Sequence, residues 1–226
     1  MRPPIEYFFP PEIGAELIYS FIIIICSLMI YYATKEMYEL SSYKGIKYFR
    51  QAFLFFAIAF FSRYFIKFLL MFFNVGEILR FSMMRIGWIS TFIFLYSISM
   101  AVFYLLYSVM WKKWNHSQLR IYLFNLFAFI IAMMGLLGGV ITSLLLIAAL
   151  LLFASLILFI AYKNSKNSRK GKKLYMIYLL LFVFCILNIF DILIPTFLQV
   201  YQLAIYLASS LIFMIILYKV LKNTGN

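Results

Sequence analysis

Residues 121–162 form an almost unbroken apolar run. At a rise of 1.5 Å per residue, about 42 residues make roughly 63 Å of helix. The hydrocarbon core of a bilayer is only about 30 Å thick. One straight span cannot use that length, so the run is read as two spans with a turn between them. The turn is expected at Gly138-Gly139, where the backbone is most permissive. Gly135 and Gly139 also make a small-xxx-small pair, but the turn accounts for both without invoking helix association.

The rest of the chain fits the same solvent. Apolar residues make up 66% of its 226 positions and charged residues 12%. A soluble chain of this length has too little interior to hide so much apolar surface. The expected fold is therefore all-α, a polytopic transmembrane helical bundle forming one integral membrane domain over 1–226. Seven stretches are long and apolar enough to span: about 13–34, 51–73, 84–111, 121–137, 140–162, 174–193 and 196–217. The first follows Arg2, Glu6 and Glu12 and lacks a small-residue cleavage pattern behind it. It reads as a first span, not a cleaved leader. Pro195 marks the last turn.

The formal net charge of +13 would suit nucleic acid, but the basic residues sit in short clusters between apolar runs. That is the pattern of loops facing anionic lipid, so no nucleic-acid partner is expected. Taking alternate sides of seven spans, one side collects fifteen of the twenty Lys and Arg residues. The other holds Arg2, Arg80 and Arg85 with Glu6, Glu12, Glu16, Glu77 and Asp191. By the positive-inside bias the N-terminus lies outside and the C-terminus in the cytoplasm, with anionic lipid at the cytoplasmic face. Trp111 and Trp114 at one end of the third span and Trp88 near the other are at aromatic-belt positions.

An internal echo joins the two halves. Lys44-Gly45-Ile46-Lys47-Tyr48-Phe49 leads into the second span and Lys170-Gly171-Lys172-Lys173-Leu174-Tyr175 into the sixth, with Ser62 and Asn188 at matching depth. This resembles the 3+1+3 parallel-repeat plan of sugar-transporter-like families, with the fourth span as inversion linker. The Pro-Gln signature of one such family is absent. Chance similarity of basic loops is the competing account.

Polar groups inside spans are costly and are the best functional markers in such a chain. Arg63 and Lys67 share one face of the second span, one turn apart. Asn188 and Asp191 stand at i, i+3 in the sixth, and Glu16 enters the first from outside at a similar level. Together they outline an outward-opening pocket for a small polar or anionic solute. The structural alternative pairs Arg63 with Asp191 or Glu16 and lets Lys67 snorkel. Gln199, Gln202, Tyr206 and Ser209 share a face of the seventh span, and Ser90, Ser97, Tyr104 and Trp111 recur at heptad spacing in the third. Such stripes face the bundle interior, as interhelical hydrogen bonds or as a hydrated cavity. The candidate ligand set is Glu16, Arg63, Lys67, Asn188, Asp191, Gln199, Gln202 and Tyr206. The fifth span, almost purely Leu, Ile, Ala and Phe, is expected to be peripheral and lipid-facing.

Enzyme chemistry is not expected. The single histidine, His116, stands in a loop without a Cys or His partner nearby, and no nucleophile-elbow, zinc-protease or paired-aspartate pattern occurs. Cys26 and Cys185 read as apolar thiols, so no metal site and no cofactor is expected. A retinal Schiff base needs a lysine in the middle of the last span, where this chain has none. The reading is a membrane protein that transports or binds a small solute. The alternative is a non-catalytic subunit or heptahelical sensor acting through a membrane protein partner. The Phe, Ile and Lys bias resembles that of microbial membrane proteins, which implies a microbial cell membrane.

Overall fold

The computed structural model describes residues 11–73, 80–111, 118–138, 140–165, 169–193 and 199–224; for some of these, among them 65–73, 80–86 and 191–193, only the backbone is described. They form seven helices: α1 (Pro11–Ser41), α2 (Lys44–Phe73), α3 (Arg80–Met110), α4 (Gln118–Leu137), α5 (Val140–Ser165), α6 (Arg169–Leu193) and α7 (Gln199–Thr224). Judged on the described residues, six of them, all but α2, are long and apolar enough to cross a membrane. The exception opens with Lys44, Lys47 and Arg50 and carries Arg63. The protein is thus a multi-pass membrane protein whose outer surface meets lipid. Residues such as Phe21, Leu152, Phe159 and Leu207 are exposed on that surface, as a bilayer permits and water does not.

The helices outrun the apolar spans. Of the polar stretch 35–50, expected to be a loop, only Ser42 and Tyr43 are not helical. Its Lys, Glu, Met and Arg residues are strong helix formers, so the helices continue past the apolar limit. Ser42 ends α1 in the left-handed region (φ 49°), its N–H donating to the Tyr38 carbonyl at 2.8 Å. Likewise α6 begins at Arg169, five residues before the apolar boundary. The last turn, with Pro195, lies outside the described residues.

Six helices close a ring in the order α1, α2, α3, α5, α6, α7, with α7 returning to α1; α4 lies against α3 and α5 outside it. Ring contacts give the directions. Tyr19 and Tyr31 of α1 meet Tyr64 and Arg50 of α2, so these helices are antiparallel. Within the ring α2 leans inward. Phe53 and Phe56 are fully buried and reach Phe213 of α7, while Phe56 and Phe60 reach Phe184 of α6. The core is a column of phenyl rings along the axis. Such rings supply large, stiff van der Waals contact, which drives helix association where lipid removes the hydrophobic gain.

The stripe on α3 faces α2, as interhelical packing. Ser90 donates to the Ser62 carbonyl, Ser97 is buried, Tyr104 stacks on Phe55 at 5.4 Å, and Trp111 meets Tyr43 edge-on at 4.7 Å. Trp111 is therefore a packing residue as well as a belt residue. As expected, α5 is peripheral and lipid-facing, exposing Leu145, Leu152, Leu156 and Phe159 and burying Ala154, Ile157 and Ala161; α4, which among its described residues buries Ala128 and Ala132, lies farther out still.

Gly138 ends α4, its N–H donating to the Met134 carbonyl at 2.8 Å. A Cβ there would stand 2.5 Å from that same carbonyl oxygen and against Thr142. Gly135, about one turn earlier in α4, packs its bare backbone against Leu95 of α3. The turn alone thus does not explain both glycines. Gly138→Ala is expected to cost about 1–3 kcal/mol through overpacking against the fixed carbonyl. Equilibrium unfolding in a detergent–denaturant series measures it, and a loss below about 0.5 kcal/mol would contradict the close approach.

Candidate functional site

At the end of the bundle where α1 begins, four helices contribute polar groups to one cluster. Tyr19 of α1 is the centre. It is buried because its ring is enclosed by Phe60 and Tyr64 of α2, at 5.8 and 6.5 Å, and stacks on Tyr206 of α7 at 4.9 Å. Its hydroxyl donates to Asn188 Oδ1 of α6 at 2.9 Å. Asn188 Nδ2 donates in turn to the Phe184 carbonyl one turn back, also at 2.9 Å, which holds the amide in one orientation.

An amide offers two N–H groups and two carbonyl lone pairs. The two bonds of Asn188 use one of each. Among the described residues the other N–H and the other lone pair of this half-buried amide meet no further partner. Glu16, buried, precedes Tyr19 by three residues and so shares its face of α1. Gln202, half-buried, precedes Tyr206 by one turn on α7.

Arg63 joins from the other side of Tyr64. Its guanidinium lies over the Tyr64 ring at 5.3 Å and over Phe94 of α3 at 5.4 Å. Rings cover the faces of the guanidinium, so the hydrogen bonds it makes run in its plane. A connected series thus crosses the bundle from Phe94 through Arg63, Tyr64 and Tyr19 to Asn188 and Tyr206. Of the residues expected in the pocket, the structure gathers Glu16, Asn188 and Tyr206 about Tyr19, with Gln202 a turn from Tyr206. It sets Arg63 toward α3. The side chains of Lys67, Asp191 and Gln199 lie outside the described residues.

Tyr19, Tyr64 and Phe94 carry no polar mark in the sequence. Aromatic residues count as apolar in a hydropathy reading, so a phenol used as a polar group leaves no mark there. The i, i+3 spacing of Glu16 and Tyr19 was the available signal. A fully buried hydrogen bond between helices, Ser108 with Tyr178 at 2.6 Å, ties α3 to α6 toward the opposite end. The groove along α4 and the start of α5, about 350 Å³, is lined by Phe129, Ile130, Met133, Met134 and Leu137 among others, and offers a polar solute almost nothing.

The chain is 33% identical to an uncharacterized protein of Archaeoglobus fulgidus over 233 aligned positions, covering 98% of this chain and 95% of the relative. The chain belongs to the family of that archaeal protein. Because the alignment takes in nearly the whole of both chains, the family shares the full multi-pass domain. No protein-family model matches the chain, and no solved structure matches it.

Proposed function

We propose that this is a seven-span membrane protein that binds a small polar or anionic solute from outside, at the Tyr19–Asn188–Tyr206 cluster. The observation that carries the reading is the half-used Asn188 amide, locked by Tyr19 and by its own helix inside an aromatic wall. Buried polar groups in a bilayer are costly, and this group is built, oriented and left with capacity to spare. Phenols, an amide and a guanidinium are recognition groups, so the reading is a binding protein and not an enzyme.

Seven spans require α2 to cross as well. Its charges are tolerable because α1, α3, α6 and α7 surround it. The basic residues at the α1–α2, α3–α4 and α5–α6 ends and the tail of α7 then face the cytoplasm. A parallel repeat is supported by the ring itself. Exchanging α1, α2 and α3 for α5, α6 and α7 turns each neighbouring pair of the ring into another, α1–α2 into α5–α6 and α1–α7 into α5–α3. Helix α4 stands outside that exchange, as a linker would. The archaeal relative fits a microbial cell membrane.

A second reading, a sensor or subunit acting through a partner protein, is favoured by the phenyl column below the cluster. Phe53, Phe56, Phe184 and Phe213 fill the path a transported solute would follow. Under that reading the solute stays at the outer end and its binding moves helices.

The experiment is a thermal-shift screen of the purified protein against amino acids, sugars, nucleobases and small organic acids, followed by variants. The expected result is at least one solute whose stabilisation is lost in Arg63→Ala and Tyr206→Leu, both still folded. Full retention of binding in both variants would overturn the pocket.

A further inference from the structure

A second site stands at the opposite end, between α1 and α2. Arg50 lies where α2 passes from Lys44, Lys47 and Arg50 into the apolar run that begins at Ala52. That is the level of the membrane interface. Its guanidinium rests on the Tyr31 ring of α1, 4.7 Å from the centroid. Its Nε–H is out of solvent and meets no acceptor among the described residues. Lys47, exposed, stands three residues away on the same side of α2. Two acids stand near this end of α1, Glu36 and Glu39; Glu39 pairs with Lys35 at 3.9 Å, and among the described residues neither acid forms an ion pair with Arg50 or Lys47.

Two like charges one turn apart, one of them a partly dehydrated guanidinium with an unused donor, call for an anion. A planar fork braced by an aromatic ring is suited to phosphate oxygens, which it meets bidentately. Below it, the exposed residues Ile18, Phe21, Ile25, Met29 and Tyr32 recur at helical spacing and form an apolar stripe along α1 that ends beside Tyr31. A phosphate at Arg50 with hydrocarbon along that stripe describes one molecule.

We propose that Arg50, Lys47 and Tyr31 form a seat for the phosphate of an anionic phospholipid, whose acyl chains lie along the exposed face of α1. The seat does not depend on solute binding at the other end. It is more specific than the attraction of a basic rim to an anionic leaflet, because it rests on one braced guanidinium.

The test is native mass spectrometry of the full chain in detergent with equal phosphatidylglycerol and phosphatidylcholine. The wild type is expected to retain phosphatidylglycerol in preference. Arg50→Gln lowers that preference about tenfold, the worth of one charge-assisted hydrogen bond. Lys222→Gln, on α7, leaves it unchanged. Should Arg50→Gln fail to fold, Tyr31→Leu is expected to lower the preference in its place. Equal retention of both lipids, no change in a folded Arg50→Gln variant, or an equal loss in Lys222→Gln would overturn the seat. Displacement of phosphatidylglycerol by millimolar inorganic phosphate would assign the site to free phosphate and overturn the lipid.

Discussion

Phe184→Ala is expected to destabilise the bundle by about 3–5 kcal/mol, the cost of emptying a packed aromatic position. The ring of Phe184 is buried and touches Phe56, Phe60 and Phe213, at 6.4, 6.0 and 4.9 Å between centroids. It therefore joins α2, α6 and α7 at the centre of the ring. Lipid cannot enter so enclosed a space, and the surrounding rings are held on three helices, so collapse recovers little of the lost contact. Leu126→Ala on the exposed face of α4 is the control, expected within about 0.5 kcal/mol of wild type. Steric trapping or reversible detergent unfolding measures both. Similar losses in the two variants would contradict a core packed along the axis.

Asn188→Leu is expected to abolish solute binding and to cost about 1–3 kcal/mol of stability, because the buried Tyr19 hydroxyl loses its acceptor. The double variant Tyr19→Phe/Asn188→Leu separates the two effects. With both partners apolar no donor is stranded, so stability recovers to near the wild-type value. Solute binding stays lost, since the recognising amide is gone. Recovery of binding along with stability would assign the pair a purely structural role.

Much of the fold was legible because the bilayer leaves few ways to satisfy a backbone. Runs near 20 apolar residues mark helices, and a 42-residue run has to be two. The helix ends were less legible. The Lys- and Glu-containing continuation of α1 looks like a loop when apolarity is the only criterion, yet its residues are good helix formers. Burial within the membrane was harder still. The purely apolar α5 is peripheral, as its composition suggests, but α4, which carries Asn125, lies farther out, and small residues such as Ala154 and Ala161 mark the narrow face that α5 turns to its neighbours. The site was half legible. Asn188 and Glu16 stood out as polar groups in apolar helices. The partner of Asn188, 169 residues earlier in the chain, depends on the order of helices round the ring, which no local pattern encodes.

Under the proposed topology the Tyr19–Asn188 cluster faces outward on a seven-span bundle. Single-cysteine variants in a background with Cys26 and Cys185 replaced, labelled in intact cells with a membrane-impermeant maleimide, test that topology. Glu77→Cys is expected to react from outside. Ser42→Cys and Ser168→Cys are expected to react only after the membrane is opened. Labelling of Ser42→Cys in intact cells would contradict the outward site, and Glu77→Cys and Ser42→Cys reacting from the same side would contradict the span count.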